Sequence, residues 1–404
     1  MRLGSNRVIL LLQLLLLLLG VNLTVYFLYF ILVLRTKRKE DYLRRLATII
    51  ESNIDREKLP DVTVLIPAYN EEETLHNKLK NVVEFDYPLD RIEVFILDDG
   101  STDRTSEIAE SGLKEFQLKG RVIRNEHRSG VNVSYNKAIP RVTSEYILTT
   151  DADARIPRDS LLKAVKVLSN LKEVGAVAAK MIPVYAKSSS ATRAAEAYAT
   201  SYDSMLVAES SIFSTFPGST SCLLMRKSAF SPISTSFGSS DGNISLTIIK
   251  NGFKFILAPS IVYYEPISTS ILEQRRQKIR RATRLIQSTL LNSNIILKRK
   301  YGEFGRVIFP LRLLMMTVCP ILTLMSLLMF FILTYFVFFF LFVASALLAL
   351  LVLLVGVSTN VKACNLVVSF LLHQTYLSVG FLSSFRRMRV WEKIQRSSDV
   401  QRTS

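Results

Sequence analysis

Long apolar runs at both ends of the chain constrain its fold before any other feature. Val8 to Leu34 is apolar apart from Gln13, Asn22 and Thr24. That run exceeds the about 20 residues needed to cross about 30 Å of hydrocarbon. A cleaved leader has an apolar core of only about 7–15 residues, so a retained anchor is expected. A basic stretch, Arg35-Thr36-Lys37-Arg38-Lys39, follows it. Val307 to Val357 is almost continuously apolar and fits two crossings that meet near Thr334–Phe336. Val361 to Ser383 is a weaker third candidate, because it holds Lys362, Asn365, His373 and Gln374.

The segment between these ends reads as a polar domain with basic residues at both junctions, Arg35–Arg45 on one side and Lys298–Lys300 with Arg306 on the other. Cytoplasmic flanks of membrane spans carry excess Lys and Arg, so the expectation is a multi-pass plasma-membrane protein with this domain in the cytoplasm. Three C-terminal crossings would put Arg386-Arg387-Met388-Arg389 outside, against the same rule. Either the last run is interfacial or re-entrant, or an upstream signal dominates. The chain holds 51 Lys+Arg against 34 Asp+Glu, a net charge of +17. The excess sits beside the apolar runs, where an anionic membrane surface attracts it at about 1 kcal/mol per residue. No nucleic-acid-binding module is visible, so nucleic acid is not an expected partner.

Other chemistries are excluded by what is missing. Cys222, Cys319 and Cys364 are far apart with no CxxC pair, and the three histidines form no HExxH. A disulfide framework, a zinc knuckle and a histidine-ligated metalloenzyme are therefore not expected. Neither GxxxxGK[ST] nor GxGxxG occurs, against P-loop and dinucleotide sites.

Within the polar domain, Val62–Ile66 is a short β-branched run stopped by Pro67, and Glu71–Val83 has helical character. Glu93–Leu97 is a second such run, ended by Asp98-Asp99-Gly100-Ser101 and followed by a helical stretch, Thr102–Leu118. Arg121–Ile123 and Glu145–Leu148 read as further strands, the latter followed by Thr149-Thr150-Asp151-Ala152-Asp153. Alternating strands and helices predict an α/β fold, a largely parallel sheet with helices on both faces. Ligands bind such sheets outside the carboxyl ends of the strands. Pro67-Ala68-Tyr69-Asn70-Glu71, Asp98-Asp99 and Asp151/Asp153 all fall there. Each alone could be turn chemistry or a helix cap; together they predict a site. Asp151 and Asp153 point to one side of an extended segment, where their repulsion calls for a cation. Without a nearby histidine, hard oxygen ligands favour Mg²⁺ or Mn²⁺ shared with substrate phosphates, which implies a diphosphate ligand.

These residues resemble a family. Val62–Leu75 (VTVLIPAYNEEETL), Leu97–Thr105 (LDDGSTDRT), Thr150–Ile156 (TDADARI), Phe216–Phe230 (FPGSTSCLLMRKSAF) and Ser239–Phe253 (SSDGNISLTIIKNGF) resemble the family 2 glycosyltransferases of GT-A fold, over about residues 60–285. The membrane-bound members include polysaccharide synthases and lipid glycosyltransferases. The resemblance implies that Pro67, Tyr69 and Glu71 surround the nucleotide, that Asp99 with Asp98 accepts a hydrogen bond from a uracil-like base, and that Gly130 and Asn136 line the nucleotide pocket. The lysine common in that segment is Val131 here, with Arg128 as a substitute. It further implies that Asp151 contacts ribose or metal, Asp153 coordinates the metal, and Asp241 is the general base. The partner glutamate of Asp241 is replaced by Ser240. Asp241 could also cap a helix over Gly242–Lys250.

Gln274–Arg284 (QRRQKIRRATR) is a basic amphipathic stretch suited to the membrane interface. Gln277, Arg280 and Arg281 fall on the family's QxxRW signature, with Arg281 in place of its tryptophan. That departure weakens a processive polymerase, while Arg280 keeps the planar fork that grips a diphosphate. The expected organisation is an anchor (1–35), a GT-A domain (36–270), basic interfacial helices (271–306), two to three membrane helices (307–385) and a basic tail (386–404). The leading expectation is an inverting, metal-dependent transferase moving a sugar from a nucleotide sugar, with UDP the expected carrier, to a lipid or lipid-linked glycan acceptor. A processive polysaccharide synthase and a non-catalytic scaffold of the same fold are the rivals.

Overall fold

The computed structural model describes residues 5–34, 38–184, 190–218, 220–267, 270–337, 339–358 and 362–386. Part of the basic stretch (35–37) and the tail beyond Arg386 lie outside these residues.

Apolar β-branched runs make the sheet, because such residues suit a strand buried on both faces. β1 (Val62–Ala68), β2 (Ile92–Asp98), β3 (Gly120–Arg124) and β4 (Tyr146–Thr149) pair in parallel, with β1 between β2 and β4. Side chains alternate between faces. Val62, Val64 and Ile66 enter one core with α3 (Leu75–Val83), α4 (Thr105–Glu115) and α6 (Ser160–Asn170), whereas Leu65, Phe95 and Ile147 enter the other, with α5 (Val131–Ala138).

The sequence reading did not assign the remaining strands. β5 (Val174–Val184), β6 (Leu223–Arg226) and β7 (Lys254–Pro266) complete a seven-stranded sheet in the order β3-β2-β1-β4-β6-β5-β7. β6 runs antiparallel to both β4 and β5, and β5 pairs in parallel with β7. The carboxyl ends of β1, β2, β4, β5 and β7 therefore share one edge with the amino end of β6. Helices α3 and α4 begin later than periodicity suggests, at Leu75 and Thr105. Residues 70–72 and 101–105 instead tie to each other through Asn70, Ser101, Thr102, Asp103 and Thr105, with Asn70 held at φ 54°.

The second core continues from the sheet into the apolar helices. α1 (Ser5–Tyr29) contributes Tyr29, and α10 (Phe309–Val337) contributes Phe309 and Met316. α7 (Ser190–Ile212) lies between them and the sheet. Its Glu209 accepts from Tyr29 (2.7 Å) and from Arg312 of α10 (3.1 Å), and Arg312 also donates to the Phe216 carbonyl (3.0 Å). Asn6–Leu34 and Phe304–Val337 are long and apolar enough to cross a membrane. Leu10, Leu16, Leu17, Leu23 and Phe27 of α1 are at least 60% exposed, an apolar surface that water does not favour. α11 (Phe339–Ser358) follows, and α12 (Lys362–Ser384) packs along α9 (Ile271–Leu291). Gly380 allows that approach, since a Cβ there would lie 2.9 Å from Ala282. Gln287 of α9 donates to the Ser384 and Arg386 carbonyls (both 3.1 Å). The end of the third apolar run thus rests on the basic helix. Two further helices complete the fold: α2 (Arg38–Glu51), beside α6 and α7, and α8 (Ser240–Lys250), against α9 and β7.

Candidate active site

The shared strand edge brings acidic side chains from three distant stretches together. Asp151 follows β4, Glu265 closes β7, and Ser221 precedes β6. The Ser221 hydroxyl is 2.7 Å from Asp151 Oδ2 and 3.1 Å from Glu265 Oε2. Arg281 of α9 donates to Glu265 Oε1 (2.9 Å). Asp241 enters from α8 and accepts the Thr220 N–H at 3.1 Å.

Asp241 does not cap its helix, contrary to the capping alternative. Ser239 does, accepting the Gly242 N–H at 3.0 Å. The Asp241 carboxylate is thereby left to the site. Burial, reinforced by the neighbouring Asp151, pushes its pKa up to about 7 against the pull of the Thr220 N–H and Arg281. A base is most effective when its pKa lies near the working pH. Arg280 also faces this centre. Its pKa falls to about 10, through burial and the adjacent Arg281 and Arg284, while Asp151 and Glu265 oppose the fall.

The Asp-Ala-Asp turn is braced from below by residues the sequence reading passed over. Lys78 is 2% exposed, and its ammonium donates to Thr150 Oγ1 and to the Ala154 carbonyl, both at 2.7 Å. Burial lowers its pKa to about 7, with Asp151 opposing. Asn81, one turn on, holds Ile156 by both its carbonyl and its N–H (2.8 and 2.9 Å). The (i, i+3) spacing of Lys78 and Asn81 on α3 could have pointed to a common face. Glu265 could have been found by extending the strand-end argument to the run ending at Pro266.

The residues expected to line a nucleotide pocket gather at the same edge but are largely engaged by protein. Asp98 is fully buried, accepts the Ser101 N–H (2.8 Å) and the Ser106 hydroxyl, and pairs with Arg124 at 3.5 Å. Asp99 accepts from Asn125 (2.9 Å), the Ser129 N–H (2.8 Å) and the Gly130 N–H (2.8 and 3.0 Å), which folds the 125–130 loop against β2. The Arg128 guanidinium stacks 3.7 Å over the Tyr69 ring, at the distance of a cation–π contact. Pro67 is the penultimate residue of β1, which continues through it to Ala68 rather than stopping there, and the Glu71 carboxylate accepts from Thr74 (2.7 Å). Both ends of the Asn136 amide bind the Ile233 backbone (2.7 and 2.9 Å), so that residue fastens the 231–234 loop to α5. Gln277 is half-buried on α9, one turn before Arg281.

No three His, Cys, Asp or Glu side chains among the described residues are placed to hold a metal ion by themselves. The donors on offer, Asp151 and half-buried Asp153, are hard oxygens. They suit a cation that takes one or two carboxylates and completes its shell with phosphate oxygens.

Residues 63–231 match the family model described as glycosyl transferase family 2. Over these residues the chain is similar to that family. Its sheet and helices form a GT-A fold, and a mannosyltransferase from Pyrobaculum calidifontis, solved with GDP-mannose and Mn²⁺, superposes with a TM-score of 0.68 at 22% identity over 91% of this chain and 99% of that one. A β-monoglucosyldiacylglycerol synthase of Nostoc sp. is 37% identical over 30% of this chain and 25% of its own length. A poly-β-1,6-N-acetyl-D-glucosamine synthase of Staphylococcus epidermidis is 28% identical over 30% of this chain and 29% of its own length. The chain thus spans under a third of either relative. The glycosyltransferase match ends before Asp241, α8 and α9, so Asp241 and the basic helix stand on geometry rather than on that match.

Proposed function

We propose that this protein is an inverting, metal-dependent glycosyltransferase that moves one sugar from a nucleotide sugar to a hydroxyl of a membrane-associated, lipid or lipid-linked acceptor. The observation that carries this reading is Asp241, a carboxylate with a pKa raised to about 7 at the strand edge beside Asp151.

In this reading Asp241 takes the proton from the acceptor hydroxyl as its oxygen attacks the anomeric carbon. An acceptor that was already a phosphate anion would need no such base. Asp153 and Asp151 would hold Mg²⁺ or Mn²⁺, which when bound supplies positive charge to the departing diphosphate. Arg280 faces the same departing charge from α9, and Arg281 keeps Glu265 paired. The Asp99-organised loop and the Tyr69–Arg128 stack receive the nucleotide, with UDP the expected carrier. Lys78 fixes the turn on which the metal-binding carboxylates are mounted.

A lipid acceptor is supported by the exposed apolar surface of α1, by the unbroken core from sheet to α10, and by the name of the Nostoc relative, a β-monoglucosyldiacylglycerol synthase. Basic flanks argue for a multi-pass plasma-membrane protein with the domain (36–270) and interfacial helices (271–306) on the cytoplasmic side. The docking of the end of α12 on Gln287 supports the interfacial form of the last apolar run.

The test uses membranes containing the full chain, a panel of radiolabelled nucleotide sugars, and solvent extraction with and without EDTA. Label should enter the organic phase, and both EDTA and Asp153→Asn should abolish its entry. A water-soluble polymer made without lipid would favour the processive synthase instead. Transfer indifferent to EDTA and to Asp153→Asn would remove the metal mechanism.

A further inference from the structure

A second polar recess lies between the amino end of α5, the loop before α8 and the basic helix α9, lined by Gly130, Val131, Asn132, Phe237, Arg284 and Gln287 among others. None of its lining residues is a carboxylate. Three observations give it a ligand chemistry. The Nε of Arg284 is buried with no hydrogen-bond partner among the described residues, and no ion pair of Arg284 is found there. Burial accordingly lowers the Arg284 pKa with no carboxylate to oppose it. A cation withdrawn from water and left unpaired is costly, so an anion in the recess would relieve it.

Asn132 is 7% exposed, and its Nδ2 donates to the Ser234 carbonyl at 2.7 Å. That bond fixes the amide orientation and leaves Oδ1 buried without a partner. The site therefore also wants an O–H donor. Finally, α5 begins here without a side-chain cap, at Gly130 with φ 94°. The first N–H groups of a helix have no partner within it and favour negative charge. Asp99 uses the N–H groups of Ser129 and Gly130, leaving those of Val131 and Asn132 to the recess. A Cβ at Gly130 would meet nothing within 4 Å, so the approach is open.

We propose that this recess binds a phosphoryl group bearing an adjacent hydroxyl, with Arg284 and the amino end of α5 holding the phosphoryl oxygens and Asn132 Oδ1 accepting from the hydroxyl. The source is either a soluble phosphate ester or a phospholipid headgroup reaching the recess along α9. The site is defined without reference to sugar transfer, so it stands if the proposed acceptor is wrong.

Hydrogen–deuterium exchange on the full chain in nanodiscs tests it, read at the amides of Val131 and Asn132. Three arms are compared: phosphatidylcholine discs alone, the same discs with glycerol 3-phosphate, and discs doped with phosphatidylglycerol. Protection in the second arm identifies a soluble ester, and protection in the third alone identifies a headgroup. In either case Arg284→Gln should weaken the protecting ligand by about tenfold or more, the loss of a charge-assisted bond. Arg284→Lys, which keeps the charge but not the fork, should recover part of it, and Asn132→Leu should weaken the ligand while leaving Arg284 in place. No protection in any arm, or equal protection in wild type and Arg284→Gln, overturns the proposal.

Discussion

The two halves of the strand edge use the same side chain in opposite ways. After β2, Asp98 and Asp99 are nearly or fully buried, yet each is surrounded by donors. After β4 and at the start of α8, Asp151 and Asp241 lie near each other and near Glu265, and Asp241 receives a single backbone N–H. A buried carboxylate with enough donors is a structural fastener, whereas one short of donors and close to another carboxylate is driven toward the proton. Donor number separates Asp98 and Asp99, which shape the loop, from Asp241, whose pKa is raised by burial and by Asp151 with only one N–H to oppose them among its hydrogen bonds.

The largest expected effect comes from removing the underdonated carboxylate. Asp241→Asn should lower sugar transfer by about a thousandfold, within the range of a lost general base. Its stability should move the other way. Asp241 binds its proton more tightly folded than unfolded, so its contribution is present at low pH and is lost as pH rises through about 7. The thermal midpoint of Asp241→Asn should therefore exceed wild type at pH 8 and match it more closely at pH 5. In wild type, kcat/KM should climb with pH on a limb near 7, and that limb should vanish in the variant. A variant that is slower but has an unchanged pH profile would assign the base elsewhere.

A smaller effect is expected beneath the turn. Lys78→Met removes both bonds to the Asp-Ala-Asp segment while keeping the bulk of the side chain. Misplacing a reacting group by about 1 Å can cost about a hundredfold, and a loss of that order in transfer is expected. A purely structural lysine would lower the thermal midpoint and leave the metal response alone. A positioning lysine instead raises the Mn²⁺ concentration needed for half-maximal nucleotide binding, which calorimetry reads without turnover.

The contrast between the two halves also marks how far the sequence could be read. Strands β1, β2 and β4 were legible because each is a short β-branched run ended by turn chemistry, and the strand-end rule then located Asp98, Asp99, Asp151 and Asp153. The later strands were not. β6 is only four residues long and antiparallel, and β7 is interrupted by Pro259 and Ser260 where its register with β5 shifts between Ala179 and Lys180. Their partners are set by tertiary pairing, so Ser221 had no local signal, and Glu265 had only its place at the end of the run that closes at Pro266. Lys78 was hidden differently: a lysine on an amphipathic helix ordinarily faces water, and only the carbonyl of Ala154 overhead shows that this one is buried. Whether a carboxylate has donors is equally invisible in a linear string, which is why Asp98 and Asp241 looked alike.

That last pair sharpens the comparison with the smallest expected effect. Asp98→Asn is as conservative as Asp241→Asn, yet it strikes a site rich in donors. The new amide can still accept the Ser101 N–H, but its NH₂ group faces the Ser106 hydroxyl and the Arg124 guanidinium where an anion stood. Leaving buried polar partners mismatched costs about 1–3 kcal/mol, so the thermal midpoint should fall at pH 8, where that of Asp241→Asn rises. The transfer rate per folded molecule should fall far less than in Asp241→Asn, because Asp98 shapes the loop without touching a proton in flight. If the two asparagine variants shifted stability in the same direction at pH 8, donor count would no longer explain what distinguishes these carboxylates.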